Sequence, residues 1–191
     1  AADPLDEVYE ALTPAQRVGQ LVIVPFDGPD VGPGSDIGDL VASGRVGGVV
    51  IDPRRGNFAN GADAPSEVAQ LANALQAGAA AGGDGRVPLF VAVTPAVDGS
   101  VGTLLRGGMT PLPSPMAMGA TWDPEHARRV GEIVGRELAA VGVNLFLGPS
   151  LDVLVDPRPS SSGEPGVRTF GGSPAWVGRF GQRFVEGVHL G

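Results

Sequence analysis

The sequence predicts an α/β fold on a parallel sheet, and three observations carry that prediction. Four short apolar runs, at 21–26, 46–51, 89–93 and 143–147, have the length of strands and are rich in β-branched residues. Between them lie longer segments with apolar residues at helical spacing, opened by capping residues. Gly and Pro, 31 and 18 of the 191 residues, gather between these runs, which indicates many tight connections rather than a low-complexity segment. Alternating strands and helices imply parallel strands joined by right-handed crossovers.

Taken in order, Leu5, Val8, Tyr9 and Leu12 form a short amphipathic helix. Thr13-Pro14-Ala15-Gln16 restarts a helix, with Thr13 as cap, Pro14 in the first turn and Gln16 completing a capping box. Leu21–Phe26 reads as a buried strand, and Ser35 caps a short helix carrying Ile37, Leu40 and Val41. The second strand, 46–51, is followed by a polar loop to Pro65 and a helix capped by Ser66, with Val68, Leu71, Ala72, Leu75 and Ala79 on one face. The third strand, Leu89–Val93, is continuous and apolar, as expected of a strand covered on both faces. A long loop then runs from Thr94 to Thr121. Asp123-Pro124-Glu125 starts a helix whose buried stripe is Val130, Ile133, Val134, Leu138 and Val141, with Glu125–Arg129 and Glu132–Arg136 paired outside. After the fourth strand, Ser173-Pro174 opens a helix carrying Val177, Phe180, Gly181, Phe184 and Val188 on one face.

Composition excludes several functions. The formal charge of −8 disfavours a phosphate backbone, so nucleic acid is not an expected partner. Lysine is absent, which removes Schiff-base chemistry, and the absence of cysteine removes disulfides, thiolate nucleophiles and cysteine-bound metal. No apolar run reaches the roughly 20 residues of a membrane span. No metal site or cofactor is expected, because neither metal-ligand spacing nor a phosphate cradle between strand and helix is present. The opening Ala-Ala-Asp-Pro resembles an end left by cleavage at small residues, a slight pointer to secretion or the cell envelope.

An N-terminal helix plus about four strand–helix units fits either an open four-stranded domain or the front half of an eight-stranded barrel, which needs about 250 residues when closed. In both, ligands gather at the carboxyl ends of the strands. The stretch from Leu138 to Pro174 holds the fourth strand and a long polar loop, with Asp152 just past the strand and Arg168 just before the next helix. The other strand-end carboxylates are Asp27, Asp52 and Asp98. Asp27 and Asp52 read as turn or cap residues, and Asp152 as an acceptor that ties down its own loop, with ligand contact as its alternative. Arg168 reads equally as a donor to the oxyanion or hydroxyl groups of a ligand or as the ion-pair partner of Asp152 or Asp156. Arg54 and Arg55 read as solvated. Trp122 and Trp176 have the rings to stack on a ligand ring, Trp176 reading more readily as packing.

Several segments together resemble glycoside hydrolase family 3, in its β-N-acetylhexosaminidase branch. They are Leu12-Thr13-Pro14-Ala15-Gln16-Arg17-Val18-Gly19-Gln20-Leu21, Gly47-Gly48-Val49-Val50-Ile51, the run from Leu112 to Thr121, Glu137-Leu138 through Asn144, Pro149 to Val153, and Arg168-Thr169-Phe170-Gly171. The resemblance runs along nearly the whole chain, residues 1–191 being one N-terminal-type domain. It implies a (β/α)₈ TIM-barrel-like fold of which this is the N-terminal half, and retaining hydrolysis of β-linked N-acetylglucosamine or related β-glycosides. It makes Arg168, of the Arg-[Ser/Thr]-Phe-Gly motif, a sugar-binding residue.

Two departures stand against the family pattern. Family members end the third strand with Val-Asp-Gln-Glu-Gly-Gly, whose Asp grips the sugar; here Val93-Thr94-Pro95-Ala96-Val97-Asp98-Gly99 stands there. Thr94 occupies the Asp position without a charge, Pro95 lacks a backbone donor, and Asp98 substitutes only if the loop folds back. The family's nucleophilic Asp and its histidine acid/base fall beyond Gly191, and neither His126 nor His189 replaces them, so no catalytic residue is expected in this chain. The substrate-binding set is then Arg168, Asp152, Asp98 and Thr94. The alternative function is a non-catalytic carbohydrate-binding or scaffolding relative. A half-barrel exposes edge strands and an inner face, so self-association or pairing with a C-terminal half is expected.

Overall fold

The computed structural model describes residues 3–82, 87–95, 105–154 and 168–191. Helices α1 (Pro4–Ala11) and α2 (Pro14–Gly19) lead into β1 (Ile23–Pro25), α3 (Asp36–Ala42), β2 (Gly48–Val50) and α4 (Ala64–Ala81). Then come β3 (Phe90–Val93), α5 (Pro115–Gly119), α6 (Glu125–Ala140), β4 (Leu145–Phe146) and α7 (Pro174–Val188). The described strands form one parallel sheet in the order β1-β2-β3-β4. Strands that follow one another without a reversal of order wind in one direction, as in a barrel wall, whereas a doubly wound sheet reverses at a switch point. This supports the barrel alternative.

Local chemistry accounts for most helix starts. Thr13 Oγ1 accepts from the Gln16 N–H while Gln16 Oε1 accepts from the Thr13 N–H, a complete capping box. Ser35 Oγ and Ser114 Oγ cap α3 and α5 by accepting from the Gly38 and Ala117 N–H groups, without the reciprocal bond of a box, and Asp123 accepts from the Glu125 N–H at 3.0 Å. Two expectations shift. Helix α4 starts at Ala64 rather than after Ser66, because Pro65 fits the first turn, where an N–H has no intrahelical acceptor and its absence costs nothing. Part of the loop expected between Thr94 and Thr121 is helix α5, opened by Ser114-Pro115. Outside α6, Arg128 bridges Glu125 and Glu132 at 2.6 and 3.3 Å and Arg136 reaches Glu132 at 2.6 Å, while Arg129 lies a looser 3.9 Å from Glu125.

The sheet has two unlike faces. Strand register aligns Val24, Val49 and Val91 on one face, with Val93 and Phe146 beside them, and Phe146 packs on Phe184 of α7 with ring centroids 6.1 Å apart. This is the helix-covered face, where Val49 and Val91 are fully buried. The other face carries Ile23, Gly48 and Phe90 in one row and Pro25, Val50, Ala92 and Leu145 in the next. Here Phe90 is 50% exposed and Ile23 38%. The expectations that β1 is buried and that β3 is covered on both sides therefore fail: helices cover one face, and closing strands would have to cover the other. Leu21, 85% exposed, and the Leu5, Val8 and Tyr9 face of α1 are likewise uncovered.

Two side chains lock strands into place. Asn144 accepts from the Val91 N–H at 2.8 Å and donates to Leu89 O at 3.0 Å, extending the β3–β4 ladder where backbone pairing stops. Gln76 of α4 does the same to Leu89, accepting from its N–H at 3.0 Å and donating to its carbonyl at 2.8 Å. Buried backbone groups that would otherwise cost free energy are thus paired.

Helices α6 and α7 pack closely through glycines. A Cβ on Gly131 would lie 2.2 Å from Phe184 O, one on Gly135 2.3 Å from Val188 O, and one on Gly187 2.0 Å from Arg128 O. Each neighbour is backbone, which cannot swing aside. Hydrogen replaces a side chain at these positions so that the two helix backbones touch.

Candidate functional site

The carboxyl ends of β3 and β4 bring Thr94 beside the loop after β4. Leu147 N donates to Val93 O at 3.0 Å, so the ladder runs to the last residue before Thr94. The returning loop is tied back where Leu154 N donates to Gly171 O at 3.0 Å, which brings the Asp152 segment against the Arg168-Thr169-Phe170-Gly171 turn. Thr169 and Phe170 are buried, with Phe170 stacked on Phe180 of α7 at 5.4 Å, and this fixes the backbone from which Arg168 projects.

Among the described residues, two buried side-chain polar atoms have no hydrogen-bond partner, Thr94 Oγ1 and Arg168 Nε. Leaving a buried donor unmade costs about 1–3 kcal/mol, more when the group is charged. Buried polar groups are otherwise nearly always satisfied, so a pair of orphans stands out at the carboxyl ends of the strands, the end at which parallel α/β sheets gather their ligands. Of the two ion-pair partners offered as the alternative role of Arg168, Asp152 makes no such pair. Asp152 is exposed and accepts from Ser150 Oγ at 2.9 Å. Asp98, Asp156 and the intervening loop residues lie outside the described residues.

At the ends of β1 and β2, Arg54 and Arg55 are exposed to solvent as read, and each also pairs with a carboxylate. Arg54 donates to both oxygens of Asp52, with Nη2 to Oδ2 at 2.6 Å, and Arg55 Nη1 reaches Asp27 at 2.9 Å. Asp52 also caps a 3₁₀ turn at Pro53–Arg55 by accepting from the Arg54 N–H, so its cap reading holds. Buried Asn57 accepts from the Asp52 N–H and donates to Phe26 O and Gly28 O, stitching the two loops together. No local signal marked this residue, because its partners lie about thirty positions away.

The hydrogen bond from Arg54 holds the Asp52 carboxyl below its ordinary value, against the opposing pull of burial. A general acid working near neutrality needs the opposite shift, so Asp52 is a structural anion. Because the folded value lies below the unfolded one, the stabilisation is complete above about pH 4 and is lost as the pH falls through the folded value. Asp52→Asn keeps a capping oxygen but loses the charge. The variant is expected to be less stable at neutral pH by about 1 kcal/mol, a small effect because Arg54 is largely solvent-exposed, with the gap closing in acid. Urea midpoints measured from about pH 3 to 7 check this; parallel curves across that range would refute it.

His126 sits on the exposed first turn of α6, where its Nδ1 is 3.1 Å from Thr121 Oγ1. Trp176 packs as expected, against Phe180 at 6.1 Å and Trp122 at 5.2 Å. No helix among the described residues is long and apolar enough to cross a membrane.

The fold, the strand-end arginine and its motif can now be set beside known proteins. The model of the glycosyl hydrolase family 3 N terminal domain matches residues 13–190. The chain belongs to this family. Among curated proteins, the family 3 relative β-hexosaminidase A of Pseudoalteromonas piscicida is 27% identical over 92% of this chain and 30% of its own length. Among solved structures, a glycoside hydrolase family 3 β-N-acetylglucosaminidase from Paenibacillus sp. superposes with a TM-score of 0.78 at 37% identity, covering 94% of this chain and 31% of that one. The β-N-acetylhexosaminidase of Beutenbergia cavernae gives 0.72 at 30% identity, covering 94% and 51%. The chain thus spans from 30% to 51% of the length of these family 3 relatives, and its sheet is a TIM-barrel-like partial barrel.

Proposed function

We propose that this chain, taken as one domain over residues 1–191, is the sugar-orienting part of a glycoside hydrolase acting on β-linked N-acetylglucosamine or related β-glycosides. The observation that carries the reading is the buried, unpartnered Arg168 Nε at the carboxyl end of the sheet. A sugar hydroxyl or acetamido oxygen supplies the acceptor this donor lacks, and the guanidinium fork fixes ring orientation through two parallel hydrogen bonds. Asp152 shapes the loop and Thr94 offers a neutral hydroxyl to the same face.

Retaining hydrolysis needs two groups flanking the scissile bond, about 5 Å apart when both are carboxylates. Among the described strand-end carboxylates, Asp27 and Asp52 are engaged by arginines and Asp152 is exposed. The nucleophile and acid/base are therefore assigned to βα units outside these 191 residues, which would also cover Ile23 and Phe90 and pair the sheet edges. Full-length protein is expected to hydrolyse an aryl β-N-acetylglucosaminide; folded protein that turns over neither this nor an aryl β-glucoside would sink the reading. A second reading, a non-catalytic carbohydrate-binding relative, is favoured by Thr94 standing where the family pattern has a charged residue. Binding of N-acetylglucosamine oligomers without turnover selects it.

A further inference from the structure

We propose that the groove between the starts of α6 and α7 is a second carbohydrate contact, stacking one pyranose ring of a neutral β-linked amino-sugar chain on Trp122. The proposal rests on the function proposed above, since it adds a contact for the same substrate class. The groove encloses about 230 Å³, walled by Met116 and Ala120, floored by Gly171 and Gly172, and flanked by Trp122 and Trp176.

Four observations converge on a sugar. The first is the exposed ring. Trp122 is 64% accessible, while Trp176 is held from the other side by Phe180 and by the Arg179 guanidinium 5.2 Å over its ring. Trp122 therefore offers the open aromatic surface. The second is strain: Trp122 has φ +56°, which no other non-glycine among the described residues shares in sign. A bulky side chain in the left-handed region costs about 1–2 kcal/mol, and such strain persists chiefly where it serves a site. The third is charge. Among the described residues no charged side chain lines the groove, and Ser173, on its rim, makes no capping bond to α7. That combination suits a neutral ligand with hydroxyls and rejects anions and cations alike. The fourth is continuity, because Phe170, Gly171 and Gly172 line the groove and begin two residues after Arg168.

A β-linked pyranose with equatorial substituents presents an apolar C–H face, which meets the electron-rich face of an indole. An acetamido methyl finds apolar walls in Met116 and Ala120. A chain held at one ring by Arg168 therefore has an aromatic surface for another ring beside it.

The test compares wild-type, Trp122→Gly and Arg168→Ala full-length proteins, titrated with the N-acetylglucosamine tetramer by calorimetry and tryptophan fluorescence. Glycine suits the left-handed backbone at position 122, so the variant removes the ring without adding strain. Trp122→Gly is expected to lose about tenfold or more in tetramer affinity, the scale of an aromatic anchor, and to lose the fluorescence change that Arg168→Ala retains. Equal affinity of Trp122→Gly and wild type, or no tryptophan response in wild type at saturating tetramer, overturns the site. A Trp122-dependent response without any hydrolysis supports the site while refuting the hydrolase reading; hydrolysis without that response does the reverse.

Discussion

Arg168→Ala in the full-length protein is expected to lower kcat/KM for an aryl β-N-acetylglucosaminide by about 10²–10³-fold, the loss typical of removing one strong positioned donor. The reason lies in what the side chain leaves unmade. Its Nε is already buried and unpartnered in the free protein, so desolvation is met before the ligand arrives and a bound sugar gains the full hydrogen bond. Arg168→Lys is expected to recover only part of the activity, because an ammonium is a single charge without the planar fork. Neither variant should lower the melting temperature much, since Arg168 forms no ion pair with a described residue. Thermal unfolding beside kinetics separates the two effects. A variant that unfolds early would make Arg168 a structural residue, and full activity in folded Arg168→Ala would remove it from the site.

The second large effect concerns the helix pair behind the site. Gly131→Ala is expected to destabilise the protein by about 3 kcal/mol, because its methyl would meet Phe184 O at 2.2 Å and force the helices apart. Helix propensity alone predicts the opposite sign, a gain of about 1 kcal/mol for alanine over glycine. Gly178→Ala supplies the contrast: Gly178 lies on the exposed side of α7 with nothing within 4 Å of its Cβ position. That substitution should stabilise by about 0.5–1 kcal/mol. Urea unfolding of the two variants decides it. If Gly131→Ala proves as stable as wild type, the close α6–α7 contact is wrong. Because α7 carries Phe180, on which Phe170 stacks, loosening the pair should also weaken sugar binding through Arg168.

What could be read from the sequence was what is encoded within a few residues. The Thr13–Gln16 box, the Ser35 cap and the apolar stripes of α6 and α7 are each written inside one or two turns, and they form as expected. The parallel order of strands followed from the alternation of elements. The uncovered face of the sheet did not, because the alternation of Ile23, Val24 and Pro25 says which residues share a face but not whether anything covers it. At the site, Arg168 stood out by its motif and its place before a helix. The Asp27–Arg55 pair, 28 residues apart, and the stitching by Asn57 exist only once two loops meet in space. The left-handed backbone of Trp122 was equally hidden, since no residue type before it announces a positive φ for tryptophan.

The central claim is that the unsatisfied donor of Arg168 is completed by a sugar. A crystal structure of the full-length protein with N-acetylglucosamine tests it most directly. The account predicts that Arg168 Nε donates to an oxygen of the bound sugar within about 2.7–3.2 Å, at the carboxyl ends of β3 and β4. A sugar bound elsewhere, with Arg168 turned to a protein carboxylate, would contradict it.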